Sequence, residues 1–195
     1  FTTSMLIMTV LSLYLVLSQW RDFLSTFPYF FSFEGMLAYG LVLILSKVVH
    51  EMAHALTAKY YGLRVPSLGI AFMVFMPLLY TDASDAWRLS DRRKRMAVTG
   101  AGILSELFLA SAAGVVWALL DDGPARSAAF LLASTNWIMS LVFNMNPLMR
   151  FDGYYLLSDL LRMENLQPRA FALARWKLSK LFFGFHDKRP EVLPK

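Results

Sequence analysis

Long apolar segments recur along this 195-residue chain and constrain its fold more than any other feature. A helix needs about 20 predominantly apolar residues to cross the hydrocarbon core of a bilayer. Four runs approach or reach that length, at residues 5–20, 35–61, 96–120 and 128–143. The composition agrees with this pattern, because 57% of the residues are hydrophobic and the mean hydropathy is +0.48. We therefore predict an all-α, multi-pass membrane protein with about four transmembrane helices.

The second apolar run carries His50, Glu51 and His54 in the spacing HExxH. Residues i and i+4 lie on one face of an α-helix, with β-carbons about 6 Å apart, so both imidazoles can reach one metal ion. Two imidazoles suit Zn²⁺, which lowers the pKa of a bound water to about 7, and Glu51 can then carry the proton of that water to the leaving amine. The alternative is a helix end with two interfacial histidines and a solvated glutamate. Ionisable residues deep in an apolar segment are costly and usually functional, which favours the metal site.

A zinc site with three protein ligands has to recruit a carboxylate in this chain. The sequence has no cysteine and three histidines, of which His186 lies in a charged tail. Asp152 follows the fourth apolar run, which returns the chain to the side of the HExxH motif, and Pro147 breaks the helix before it. Glu106 lies inside the third run, and three roles are open to it: third ligand, partner of a ligating imidazole, or hydrogen-bonded group within the bundle.

The segment at residues 65–80 is apolar but too short to span a membrane, and Pro66, Gly69 and Pro77 interrupt it. Irregular backbone at membrane depth is tolerated only against protein or water, so we predict a short, β-like re-entrant or interfacial hairpin. Such a hairpin presents a free strand edge near the metal, with which a substrate peptide could pair. The alternative is a packed loop without a role in substrate binding.

The net charge of +5 comes from basic residues in the loops and the tail. Seven lysine and arginine residues lie between positions 59 and 95, whereas residues 121–126 hold one arginine and two aspartates. By the positive-inside rule, the more basic side is cytoplasmic. We therefore expect contact with the lipid bilayer, a site toward the cytoplasmic side, and no nucleic-acid partner. The tail fits an amphipathic helix on the cytoplasmic leaflet, or a connector to further sequence.

Two motifs in this order resemble the site-2 protease family, the intramembrane zinc metalloproteases of the M50 type. That family carries HExxH on one core helix and Asn-x-x-Pro-x-x-x-x-Asp-Gly on a later one, and Asn144, Pro147, Asp152 and Gly153 meet the second pattern. The segment at Gly102 resembles the family's Ala-Gly-Pro segment, with isoleucine in place of the proline. The residues around the second motif are similar to those of the bacterial branch of the family named peptide zinc metalloproteases. Members of that branch are often longer, so we expect this chain, which begins with phenylalanine, to be part of a longer protein.

The resemblance implies a reaction and a set of site residues. It implies hydrolysis of a peptide bond in or next to a membrane segment of a protein or peptide substrate, with Zn²⁺ as cofactor. By motif position, the zinc ligands would be His50, His54 and Asp152. Glu51 would be the general base, and Asn144 would help to hold the substrate or the developing oxyanion. The protein would lie in the bacterial cytoplasmic (inner) membrane, with an adaptor or export protein as a further partner.

The resemblance also suggests how the chain is divided. Residues 1–34 would form the first transmembrane helix and an aromatic connector. Residues 35–161 would form an M50-like intramembrane metalloprotease core built on three helices, and residues 162–195 a basic amphipathic cytoplasmic tail.

Two other functions fit the same motif residues. In the first, the protein binds zinc without cleaving peptides, as a subunit of a peptide export, immunity or larger membrane assembly in which the metal stabilises the fold. In the second, the site has decayed and the protein is purely structural and binds no zinc. The intact set of motif residues argues against the second.

Four further residues are left without an assigned role. Asp82 and Asp85 are expected on a solvated loop face, and Trp87 has no role that follows from the sequence. Arg150 stands where many members of the family have a proline or an apolar residue. We expect it either to lie near the zinc-bound water or to pair with Asp82 or Asp85 outside the site.

Overall fold

The computed structural model describes residues 2–73, 76–184 and 190, and helices make up most of it. The α-helices are α1 (Thr2–Ser18), α2 (Trp20–Ser25), α3 (Phe33–Tyr60), α4 (Arg92–Leu119), α5 (Pro124–Ile138), α6 (Asp152–Leu161) and α7 (Leu166–Phe183). Short 3₁₀ helices lie at Phe27–Phe31 and Ser84–Arg88, and a π-helix at Met139–Asn144 continues α5. The strands are β1 (Leu68–Met73) and β2 (Met76–Thr81). The predicted all-α class with a short β-like segment is confirmed. The third histidine, His186, lies outside the described residues.

Three helical segments are long and apolar enough to cross a membrane, namely α3, α4 and the segment Pro124–Asn144 formed by α5 and its π-helical continuation. Helix α1 and the segment Trp20–Phe31 pass the same test only as a pair, and they meet at an angle of 80°. The described residues therefore hold three candidate spans, or four if the bent pair is one broken span, in agreement with the prediction of about four. The predicted first span, at residues 5–20, differs in that the chain bends after Ser18.

Polar residues determine where α3 and α4 begin. The hydroxyl of Ser32 accepts a hydrogen bond from the N–H of Gly35 at 2.9 Å. The carboxylate of Asp91 accepts one from the N–H of Arg93 at 2.8 Å. These caps satisfy backbone donors that the first turn of a helix leaves without partners. Helix α5 instead begins with Pro124, whose fixed φ and missing N–H suit that position.

Helix α4 is the centre of the bundle, because it packs against α1, α3, α5 and α6. Near the C-terminal end of α4, the ring of Phe23 packs edge-on against the rings of Trp117 and Phe130, with ring centroids 4.9 and 4.7 Å apart. This apolar cluster holds the bent N-terminal segment against α4 and α5. Buried polar side chains, among them Glu106, lie nearer the N-terminus of α4. The bundle therefore has an apolar end and a polar interior region.

The strands β1 and β2 form an antiparallel hairpin in which Leu68 pairs with Thr81. The hairpin meets the bundle through β2, which packs against α3. Leu68, Ile70 and Phe72 project from the same face of β1, with 55%, 62% and 77% of their surface exposed. An exposed apolar row suits contact with lipid or with another apolar segment. The short hairpin expected from the sequence is present next to the HExxH helix.

Arg150 occupies neither of the positions expected for it. Its Nε donates to Oε1 of Gln167 at 2.8 Å, and Nε2 of Gln167 donates to the carbonyl of Leu148 at 3.0 Å. Within the described part of the chain, Arg150 forms no ion pair with Asp82 or Asp85, and it does not line the cavity beside the histidines. The reason is local, since the chain turns back after α6 and places the start of α7 beside the loop that carries Arg150.

Candidate metal centre

Two helices bring three potential metal ligands together. His50 and His54 face inward from α3, with 5% and 9% of their surface exposed, and Asp152 is the first residue of α6. The Nε2 atoms of the two histidines are 3.2 Å apart, and each lies 3.2 Å from Oδ2 of Asp152. Helical spacing accounts for the first distance, whereas the other two depend on the packing of α6 against the bundle.

These residues fit a zinc ion. Ligand atoms at the tetrahedral zinc distances of roughly 2.0–2.1 Å lie about 3.3 Å from one another, close to the separations found here. Two imidazole nitrogens and one carboxylate oxygen also form a ligand set that catalytic zinc uses when it keeps one position open for water. Within the described residues, His50, His54 and Asp152 form the group of side chains that could hold a metal.

The backbone of α4 orients His54. Its Nδ1 lies 2.8 Å from the carbonyl oxygen of Val98, which can only accept a hydrogen bond. This contact assigns the ring proton to Nδ1 and leaves the lone pair of Nε2 directed at His50 and Asp152. Metal-ligating histidines commonly donate their second ring nitrogen to a carbonyl or carboxylate in this way.

Glu106 of α4 faces His50. Its Oε1 lies 2.9 Å from Nδ1 of His50, a hydrogen-bonding distance, although the oxygen is displaced from the direction in which the ring N–H would point. Glu106 is fully buried and also contacts Lys47 and Asn144. Glu106 is therefore a hydrogen-bonded group within the bundle, and its Oε1 lies beside the imidazole of His50.

Gly102 of α4 forms the wall behind the two histidines. A β-carbon at this position would fall 2.5 Å from Nε2 of His54 and 2.6 Å from Nε2 of His50. Real β-carbons do not come that close to other atoms, so the two nitrogens can converge here only because residue 102 lacks a side chain. Small residues allow helices to approach closely, and here that approach occurs at the site itself.

Asp152 is held in place through its helix. Helix α6 packs against α4, and Arg95 of α4 pairs with the buried carboxylate of Asp159, two turns after Asp152. Burial raises the pKa of the Asp152 carboxyl, but the adjacent imidazoles of His50 and His54 lower that pKa by more, so it lies below its ordinary value. Asp152 is therefore ionised at neutral pH, which is the form that binds a metal.

A cavity of about 410 Å³ opens beside the three ligands, and Glu51 lies on its wall. A second, smaller recess of about 120 Å³ lies between α3 and the hairpin, where Met52 and Leu79 make it apolar. Glu51 and Tyr80 border both spaces. The candidate general base therefore stands between the space that holds the ligand cluster and an apolar recess on the hairpin side.

Thr81 fastens the hairpin to the HExxH helix. Its hydroxyl donates a hydrogen bond to the backbone carbonyl of Glu51 at 2.9 Å. Because Thr81 is the last residue of β2, this bond holds the end of the hairpin at the cavity wall.

The structure places Asn144 behind the ligand cluster. Its Nδ2 donates a hydrogen bond to Oε2 of Glu106 at 2.6 Å. Asn144 is not one of the described residues that line the cavity. The π-helix Met139–Asn144 carries it to this position. Contact of Asn144 with a substrate therefore stays a prediction, whereas its contact with Glu106 is observed.

The loop after the hairpin contributes Ala83, Ser84, Ala86 and Trp87 to the cavity wall. Asp82 accepts hydrogen bonds from the hydroxyl and the N–H of Ser84, which hold the pKa of its carboxyl below the ordinary value. Asp85 pairs with an arginine one turn later. Trp87 lines the cavity, and the guanidinium of Arg95 lies 5.7 Å from the centre of its ring.

Lys47, Thr81 and Val98 also contribute to the site, although the sequence did not identify them. Lys47 carried a usable signal, because a lysine within an apolar span, one helical turn before His50, is costly unless it is paired. Thr81 and Val98 carried none, since their contributions depend on which backbone groups the fold brings to them.

Comparison with known proteins identifies related sequences. The family model described as Peptidase family M50 matches residues 38–135. A Bacillus subtilis protein named "Putative peptide zinc metalloprotease protein" is 25% identical over 137 residues, which cover 69% of this chain and 52% of that protein. An uncharacterized protein of Methanocaldococcus jannaschii is 33% identical over 70 residues, which cover 35% of this chain and 19% of that protein. The chain thus spans about half of the first relative and about a fifth of the second. No solved structure matches the chain.

Proposed function

Because the chain belongs to peptidase family M50, we propose that it is a zinc-dependent intramembrane endopeptidase. Its reaction would be hydrolysis of a peptide bond in or next to a membrane segment of a protein or peptide substrate. The observation that carries this proposal is the convergence of His50, His54 and Asp152 beside Glu51, on helices that are long and apolar enough to cross a membrane or that pack against them. The family match ends at residue 135, so the position of Asp152 supports the proposal independently of that match.

Each residue has a distinct part in this reaction. His50, His54 and Asp152 would hold zinc through Nε2, Nε2 and Oδ2, the three atoms that face one another. Bound zinc supplies a Lewis acid and makes a water molecule acidic enough to be deprotonated near neutral pH. Glu51 takes the proton of the attacking water and returns it to the leaving amine. Its place on the wall of the ligand cavity supports this role.

The substrate would meet the site as an extended segment. A transmembrane helix hides its amide groups in its own hydrogen bonds, so cleavage needs local unwinding. The unwound stretch could add to the hairpin edge, where strand pairing would satisfy its backbone groups. The exposed apolar row of β1 and the bond from Thr81 to Glu51 support this placement, because the row offers an apolar surface on the hairpin and the bond holds the end of β2 at the cavity wall.

The orientation follows from charge. We place the protein in the bacterial cytoplasmic membrane with the site toward the cytoplasm, since the basic cluster around the N-terminus of α4 follows the HExxH helix. Helix α7, which exposes Phe171 and Leu181 among basic residues, would lie on that leaflet. An adaptor or export protein would be a further partner.

The first experiment measures zinc per chain by elemental analysis of the purified protein, with His54→Ala and Asp152→Asn beside the wild type. We expect one zinc in the wild type and reduced zinc in both variants. A wild type that carries no zinc after preparation in zinc-containing buffer would contradict the proposal.

The second experiment measures cleavage in proteoliposomes. The probes are labelled single-span peptides with glycine or proline inside the apolar segment. Glu51→Gln should keep its zinc and lose cleavage, whereas Glu164→Gln, a change on the exposed surface, should retain both. Zinc binding without cleavage of any probe, together with a stably co-purifying protein, would favour the non-proteolytic subunit instead.

A further inference from the structure

We propose that Glu106, held by Lys47 and Asn144, is a positioning residue that directs Nε2 of His50 toward the metal. This inference rests on the proposed zinc site and deepens it. It assigns a function to Lys47, Glu106 and Asn144, which lie on three different helical segments. Lys47 and Glu106 belong to neither of the two sequence motifs.

Glu106 is a buried charged residue. This carboxylate has no exposed surface, and it lies near the middle of α4, one of the segments able to span a membrane. A buried carboxylate is costly unless it is paired and hydrogen-bonded. Lys47 Nζ lies 3.2 Å from Oε1, which supplies the compensating charge, and the amide of Asn144 donates to Oε2 at 2.6 Å. The carboxylate is therefore fixed at both oxygens.

The imidazole of His50 lies between Glu106 and the other two candidate ligands. Its Nδ1 faces Oε1 of Glu106 at 2.9 Å, while its Nε2 faces His54 and Asp152. A ring nitrogen beside a carboxylate carries the proton, so the other nitrogen keeps the lone pair that a metal requires. His54 obtains the same orientation from a backbone carbonyl, which cannot be removed by substitution. The orientation of His50 depends on a side chain, and it can be tested.

The contacts of Glu106 come from two further helical segments. Lys47 lies one helical turn before His50, so α3 presents the cation and the imidazole to the same carboxylate oxygen. Asn144 arrives from the π-helix that continues α5. Asn144 thus acts on His50 through Glu106. All three helical segments have to be packed before the imidazole is held.

The test compares zinc affinity, by competition with a chromogenic chelator, in the full chain and in Glu106→Gln. We expect the variant to bind zinc about 10- to 100-fold more weakly, the range typical for loss of an outer partner of a ligating histidine. The visible absorption of the Co²⁺-substituted protein should also change in Glu106→Gln, because the ligand field depends on how the imidazole is held. A purely structural role would not alter that spectrum.

Two further variants control for folding. Glu106→Gln leaves Lys47 unpaired, so the double variant Lys47→Met/Glu106→Gln, which removes both charges together, should fold and should show the same loss of zinc affinity. Ser140→Ala is the second control. It removes a buried hydroxyl that donates a hydrogen bond to the carbonyl of Ile103 in α4 and that does not bond to Glu106. It should retain the zinc affinity and the Co²⁺ spectrum of the wild type.

The outcomes separate the two proposals. Wild-type zinc affinity and an unchanged Co²⁺ spectrum in both Glu106 variants would overturn the positioning role and leave the proposed zinc site standing. A wild type that binds no zinc would overturn the proposed function, and this inference with it.

Discussion

A β-carbon on Gly102 would lie 2.4 Å from Cε1 of His50, so α4 reaches the histidine helix only because this residue has no side chain. Gly100, one half-turn earlier on the same helix, has room: a β-carbon there would meet its nearest neighbour, Cδ1 of Leu156, at 3.9 Å. The two glycines therefore differ in what they do, although both are buried.

Gly102→Ala should move the two imidazoles apart and lower zinc binding, and overpacking should reduce the free energy of unfolding by about 1–3 kcal/mol. Gly100→Ala is the matched control, which should bind zinc like the wild type and be equally or slightly more stable, since alanine favours a helix. Zinc analysis and thermal unfolding in detergent would measure both effects. Equal zinc content in the two variants would contradict the close contact.

Arg95→Met should weaken the site through helix α6. It leaves the carboxylate of Asp159 buried without its partner, and we expect the free energy of unfolding to fall by about 1–3 kcal/mol. Because α6 also begins with Asp152, zinc should be lost to a chelator faster than in the wild type. Arg88→Met removes an exposed ion pair, with Asp85 at 3.5 Å, and should change neither quantity measurably.

Thr81→Val should loosen the hairpin while leaving the metal ligands in place. The substitution keeps the shape of the side chain and removes the hydrogen bond to the carbonyl of Glu51, a loss of about 1 kcal/mol. Hydrogen exchange of the hairpin amides should accelerate, peptide cleavage should fall, and zinc content should stay at the wild-type value. Thr26→Val, the same substitution at a hydroxyl that donates to the backbone carbonyl of Asp22 in the N-terminal segment, should leave cleavage unchanged.

Removal of the metal should lower the unfolding temperature of the wild type. A ligand that binds only the folded state stabilises it by mass action, so a chelator should have a large effect on the wild type and little effect on Asp152→Asn, which already holds zinc weakly. Differential scanning fluorimetry with and without chelator measures the difference. The same shift in both proteins would argue against a stabilising metal at Asp152.

Local patterns in the sequence predicted much of this molecule. The apolar runs predicted the helical class and the approximate number of spans, because a bilayer imposes their length. The spacing of His50 and His54 predicted that they share a helix face, because helical geometry brings positions i and i+4 together. The interruptions by proline and glycine predicted the short hairpin beside the HExxH helix. The division at residues 1–34, 35–161 and 162–195 stays a prediction.

The tertiary structure decided the contacts that no local pattern encodes. Arg150 donates a hydrogen bond to Gln167 because α7 begins beside its loop. Asn144 donates one to Glu106 because the π-helix that ends at Asn144 brings its side chain there. The sequence by itself determined which residue types are available and which neighbours share a helix face. Only the packing of α4 against α3 and α6 decided that Glu106 faces His50, that Gly102 backs both imidazoles, and that Asp152 completes the ligand group. The physical reason is that these distances join residues on different helices, and close packing rather than backbone periodicity sets them.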